Sequence, residues 1–149
     1  LFILDLKFFY LPIGLNIFLG ILGIITNTMS NLFIDDSNIF SLGSSSLSIL
    51  GYSAGFLSLW GVNFAYKLVT KKDGIGGGDF ILFAGLGSIA GPLALAPILF
   101  LGSISALLIV ITNLEKYSKE VPLGSGLILG FIFYVLLKYF ELLEYSIVI

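Results

Sequence analysis

Asp79 is the residue in this sequence whose chemistry most needs explaining. It stands inside the run Lys71 to Gly91, KKDGIGGGDFILFAGLGSIAG, after three glycines, Gly76, Gly77 and Gly78, and before the apolar residues Phe80 to Phe83. Without a Cβ the backbone there can adopt φ > 0 and come close to another group. A carboxylate at the edge of an apolar helix loses hydration unless it is wetted, paired or protonated, so it is a candidate for function. The plainer alternative is an acidic helix cap, which accepts hydrogen bonds from the first turn and suits the positive helix end. A second acid, Asp5, also adjoins an apolar stretch, seven residues ahead of Pro12. Two carboxylates that meet in a poor dielectric cannot both ionise cheaply and share a proton. One can then activate water as a general base while the other donates to a scissile carbonyl, which is hydrolysis without a covalent intermediate. The pKa values of such a pair belong to the pair, not to either residue.

Little other chemistry is open to the chain. It is 149 residues long, 58% hydrophobic and 11% charged, with a mean hydropathy of +1.11, against roughly 25% charged residues in soluble domains. That composition predicts a polytopic membrane protein with the lipid bilayer as its solvent. Cysteine and histidine are absent, which removes disulfides, thiol nucleophiles, Cys/His zinc sites and Ser-His arrangements, so no metal or cofactor is expected. The seven cations are all lysine and are outnumbered by nine acids, which leaves no basic surface for nucleic acid. The serines of SLGSSSLS, residues 41–48, have no base to activate them and read as a connector. Gly74 to Gly78 lacks the following Lys-Ser/Thr of a phosphate loop.

The elements that must position the two acids are all helical. Phe8 to Ile25 is about as long as a bilayer core requires, with Pro12 near its start where proline is tolerated. A polar connector, Thr26 to Ser46, carries Asp35 and Asp36 and no lysine. Leu47 to Val69 is the second span, with Gly51 and Gly55 at the spacing that lets helices approach closely. Phe80 to Ile111 is too long for one upright helix and is interrupted at Gly91-Pro92, so it reads as a two-helix hairpin. Its first arm is short, which recesses Asp79 below the headgroups in a polar cleft. The last clear span is Leu123 to Leu137, after a loop in which Glu115 and Glu120 pair loosely with Lys116 and Lys119. Residues 138–149 are left open between an interfacial helix and the start of a further element. Five spans put Lys7, the Lys67/Lys71/Lys72 group and Lys116/Lys119 on the cytoplasmic side, and Asp5 and Asp79 at the same edge. The expected fold is an all-α, polytopic membrane helical bundle of about five transmembrane helices plus the end of a truncated one. Residues 1–149 form a single domain, and Leu1 to Leu4, running straight into Asp5, suggest a fragment without its N-terminal part.

The order LDLKFFYLP (Leu4 to Pro12), then SLWGVNFAYKLVTKKDGIGGGDFILFAGLGSIAGP (Ser58 to Pro92), then VPLGSGLILG (Val121 to Gly130) resembles the type IV prepilin peptidase family over nearly the whole chain. Members of that family are intramembrane-type aspartic proteases that cut the leader from type IV prepilins and pseudopilins at the cytoplasmic membrane. The resemblance implies catalytic roles for Asp5, ahead of Leu11-Pro12, and for Asp79, which ends a GxGD motif supported by Gly76, Gly77 and Gly78. It implies an active site facing the cytoplasm and a prepilin or pseudopilin substrate. Two departures stand out: Ile13 follows the proline where the family often has an acidic or amide residue, and the paired CxxC motifs linked to N-methylation of the trimmed pilin are missing. Cleavage alone is therefore expected of this chain. The alternatives are an archaeal preflagellin-type or other GxGD peptidase, or a non-catalytic membrane subunit in which the two acids line a polar cavity. A presenilin-type assignment fits less well, because Leu4 and not tyrosine precedes Asp5.

Overall fold

The computed structural model describes residues 1–8, 10–30, 42–112 and 121–147, without the side chains of residues 30 and 141–147. Among them are six α-helices: α1 (Phe2–Phe8), α2 (Ile13–Ser30), α3 (Ser44–Thr70), α4 (Gly77–Ala90), α5 (Leu95–Thr112) and α6 (Leu123–Ile147). Three of them, α3, α5 and α6, are long and apolar enough to cross a membrane, and α2 and α4 are shorter apolar helices. This is the helix set of an integral membrane protein, with large apolar side chains such as Leu57, Val62, Phe100 and Leu108 exposed along its outside.

The first boundary differs from the sequence expectation. The apolar run from Phe8 does not form one helix. Proline disfavours the helical conformation in the residue before it, so the chain breaks at Leu11-Pro12, and α1 and α2 lie on either side. Helix α2 then continues to Ser30, through residues expected to form a connector. The polar groups there are absorbed into the structure. Thr26 and Thr28 donate hydroxyl hydrogen bonds to the carbonyls of Leu22 and Ile24. The buried Asn27 donates its amide to Ser48 Oγ and to the carbonyls of Ser88 and Ile89, at 2.9–3.0 Å. At the other end of the chain α6 extends through Lys138 to Ile147, so the described part of the segment left open, residues 138–147, is helical.

The hairpin is present, with α4 and α5 on either side of Gly91-Pro92. Gly91 has φ 89, a conformation that a residue without Cβ adopts at no steric cost. Helix α4 is buried on nearly all sides, from Leu82 through Ser88 without interruption, and its main neighbours are α2 and α3. The α3–α4 seam is backbone on backbone: a Cβ on Gly55 would lie 2.8 Å from the Phe83 carbonyl oxygen. Helices α5 and α6 form a second tight pair, in which a Cβ on Gly126 would lie 2.5 Å from the Gly102 carbonyl oxygen. In a lipid solvent such small-residue seams are what packs helices together. Slighter contacts of α4 with α5 and α6 join the two groups, and α1 lies against α6.

Candidate active site

Asp5 is buried on α1, at 5% exposure. Its Oδ2 accepts two hydrogen bonds from Ser125, from the backbone N–H at 2.5 Å and from Oγ at 2.7 Å. The sequence produces this arrangement locally. Pro122 precedes α6, Ser125 is the third residue of that helix, and its N–H is one of the first-turn donors that the helix itself leaves unpaired. A carboxylate there also meets the positive end of the helix.

Asp79 is half-buried in the first turn of α4. The cap position belongs to Gly76, with φ −68 and ψ 141, so the plain reading of Asp79 as the cap does not hold. Its carboxylate instead reaches back over the turn, where a Cβ on Gly76 would lie 3.3 Å from Oδ2. The turn is pinned from α2 by Asn16, whose Nδ2 donates to the Gly78 carbonyl at 3.0 Å.

The two acids converge at Gly124. A Cβ built there would stand 2.9 Å from Asp79 Oδ1 and 3.2 Å from Asp5 Oδ2. The two oxygens are therefore separated by no more than the sum of those two distances. Both acids line one cavity of about 310 Å³, together with Tyr10, Leu11, Ile13 and Gly76 to Gly78. A water occupies about 30 Å³ of liquid, so the cavity holds several, or fewer with part of a peptide. Pro12 does not line it. It lies between α1 and α2, and Leu11 before it packs against Gly78 on α4 and Gly124 on α6.

The glycines act by space and not by the conformation the sequence suggested. Lys71 and Gly91 are the described residues with positive φ, and none of Gly76, Gly77 and Gly78 is among them. Their contacts separate them. A Cβ on Gly78 would lie 2.8 Å from Leu11 Cβ and 3.2 Å from the Leu11 carbonyl oxygen, whereas one on Gly77 meets nothing within 4 Å. Gly78→Val is therefore expected to destabilise by roughly the 1–3 kcal/mol of overpacking and to displace Asp79, while Gly77→Ala is near neutral. Thermal melts of the two variants in detergent test the contrast, and equal melting temperatures would remove the close approach at Gly78.

The loop leading into this turn carries an exposed ion pair. Lys67 Nζ lies 2.9 and 3.0 Å from the two carboxylate oxygens of Asp73. Hydrogen bonds from Lys67 and then Asn63 hold the Asp73 carboxyl below its ordinary value of 3.8. A lowered folded pKa means that its contribution is complete above the ordinary value and is lost as pH falls through the folded one. Carbon-13 NMR of Asp73 is expected to show titration below 3.8, and titration at or above that value would contradict the pairing.

Ser125, Gly124 and Asn16 were not singled out from the sequence. A lone amide in an otherwise apolar span is the signal that points to Asn16. Ser125 and Gly124 lie inside VPLGSGLILG but carry no type-specific signal of their own. Asp35, Asp36, Glu115, Lys116, Lys119 and Glu120 lie outside the described residues.

Residues 1–111 match the sequence profile of the type IV leader peptidase family. A prepilin leader peptidase/N-methyltransferase of Pectobacterium carotovorum subsp. carotovorum is 30% identical over 144 residues, covering 94% of this chain and 48% of that protein. The protein of the same name from Neisseria gonorrhoeae is 35% identical over 118 residues, covering 79% of this chain and 38% of the relative. That from Aeromonas hydrophila is 40% identical over 85 residues, covering 54% and 29%. The chain thus spans about half the length, or less, of the curated relatives it matches. No solved structure gives a significant match.

Proposed function

We propose, from the premise that this chain belongs to the type IV leader peptidase family, that it is an aspartic endopeptidase acting on type IV prepilins or pseudopilins. Asp5 and Asp79 are its dyad. The observation that carries the reading is the convergence on Gly124 of one carboxylate oxygen from each acid, with both acids lining one cavity.

The chemistry follows from one proton shared between two acids. A water between them loses a proton to the ionised carboxylate, and its oxygen attacks the scissile carbonyl carbon. The protonated carboxyl gives its proton to the carbonyl oxygen, which produces a neutral gem-diol. Collapse of the gem-diol breaks the C–N bond, a proton passes to the departing amine, and the dyad returns to its starting state. Ser125 is a positioning residue in this scheme. Its two donors fix Oδ2 of Asp5, the oxygen that stands beside Gly124 opposite Asp79. No group outside these side chains is required for cleavage.

Five of the helices, α2 to α6, cross the membrane in this reading. Lys7, Lys71 and Lys72 lie in segments flanking the dyad, and by the positive-inside rule they set that end toward the cytoplasm. The proposal is confined to cleavage, although the relatives' names also include a methyltransferase activity.

The test is direct. The purified chain in detergent, incubated with a synthetic prepilin peptide spanning the leader junction, is expected to yield two fragments of defined mass. No cleavage of that peptide by well-folded protein would favour the reading in which the two acids only line a polar cavity of a membrane subunit.

A further inference from the structure

Helix α4 begins without a side-chain cap at Gly76, so the placement of its first turn depends on whatever holds the loop before it. That loop is laid back along the last turns of α3. Lys71 closes α3 in a left-handed conformation, with φ 58 and ψ 19. Gly74 rests against a ring, since a Cβ there would lie 2.8 Å from Tyr66 Cδ1. The chief fastening is Asn63, an amide on α3 that is only 8% exposed. Its Oδ1 accepts from the backbone N–H groups of Gly74 and Ile75 at 2.8 and 3.0 Å. Its Nδ2 donates to Asp73 Oδ1 at 3.3 Å, and Lys67 holds that same carboxylate.

We infer that Asn63 is a positioning residue for Asp79: by fastening residues 73–75 to α3 it sets the first turn of α4 and hence the gap between the two carboxylates. Asn63 touches neither acid. It acts on Gly74 and Ile75, immediately ahead of the turn's glycines, and opposite Asn16, which holds the same turn from α2. With both amides in place the turn is tied on two sides. With Asn63 removed, the part-buried N–H groups of Gly74 and Ile75 lose their acceptor, and the loop settles elsewhere. The inference rests on the dyad reading for its effect on turnover, but its geometric part does not.

The polarity of the contact supplies the experiment. Asn63→Ala removes both hydrogen-bonding ends. Asn63→Asp keeps the acceptor for Gly74 and Ile75 but turns an oxygen toward Asp73 where a donor had been. Adding Asp73→Asn to Asn63→Asp restores one donor and one acceptor, in reversed order. A displacement of about 1 Å at a reacting group costs up to about 10²-fold in rate, so Asn63→Ala and Asn63→Asp are each expected to lower kcat by about 10-fold to 10²-fold, with KM within about twofold. The double variant is expected to recover to within about threefold of the parent, as coupled neighbours do. A fastening that merely keeps the protein folded would alter yield and melting without this split and without rescue by the reversed pair. A kcat for Asn63→Ala within about twofold of the parent, or a double variant no better than Asn63→Asp, would overturn the inference.

A second readout needs no turnover. The chain has no cysteine, so spin labels can be placed at Ser53→Cys, exposed on α3, and at Gly77→Cys, where a side chain meets nothing within 4 Å. The label-to-label distance is expected to be narrow in the parent, broad with Asn63→Ala and narrow again with the reversed pair. An unchanged width with Asn63→Ala would also overturn the inference. If the parent cleaves no prepilin peptide, the dyad reading fails while the label distances still decide the role of Asn63.

Discussion

Asp5→Asn and Asp79→Asn are each expected to lower prepilin cleavage by roughly 10²-fold to 10⁴-fold, the span that a positioned acid or base contributes. The change at Asp5 is mild for the fold. An asparagine oxygen can still accept both Ser125 donors, which leaves an NH2 group in place of the second carboxylate oxygen. At Asp79, half-buried and tied to no other side chain by a described hydrogen bond, the isosteric amide also fits. Insertion, yield and helix content should therefore match the parent while turnover disappears. The losses should not add: with both members needed for one proton relay, the double variant is expected to be about as inactive as either single one. Mass-spectrometric cleavage rates for the three variants measure this. Substantial residual activity in either single variant removes that residue from the dyad.

Gly124→Ala is expected to cost about 10²-fold in kcat although it adds one methyl group and removes no functional atom. The new Cβ would stand 2.9 Å from Asp79 Oδ1, 3.2 Å from Asp5 Oδ2 and 2.5 Å from Leu11 Cδ1. The leucine methyl can swing away. The carboxylates can yield only by leaving the positions from which both reach one water. Helix propensity favours alanine over glycine by about 1 kcal/mol, which partly offsets an overpacking cost of roughly 1–3 kcal/mol, so the variant should remain folded. Turnover at the parent rate would show that the space between the acids is not where water reacts.

The hairpin was legible because Gly91-Pro92 interrupts a run too long for one helix, and the structure breaks there. The all-helical class followed from apolar length alone. The ends of α2 were not legible, for two separate reasons. At its start the conformational restriction before Pro12 outweighed the continuous hydrophobicity of Phe8 to Ile25. At its end Asn27, polar in composition and therefore read as connector, is buried among acceptors on α3 and α4, which only the tertiary arrangement supplies. Asp5 and Asp79 stood out as acids beside apolar runs, and the structure brings them to one cavity. What surrounds them did not stand out. Gly124 matters for an absent side chain and Ser125 for a backbone N–H as much as for its hydroxyl, and neither property is visible until two distant segments meet. The run of glycines misled in its mechanism, since a residue without Cβ can be required either by a left-handed φ or by a neighbour's bulk. Gly78 answers to the second, through Leu11.

The two acids belong to different halves of the helix set. Asp79 rides on α4 within the block that α2, α3 and α4 build, whereas Asp5 is fastened through Ser125 to α6 and so moves with the α5–α6 pair. Each block is stiff, because its helices touch at the main chain. The alignment of the acids thus reports how one slab sits on the other, much as two marks on separate rulers coincide only at one setting. Side chains along the boundary between the slabs, remote from either acid, become tuning screws for that setting, and lipid or detergent that shifts the boundary would part the two acids without unfolding a single turn.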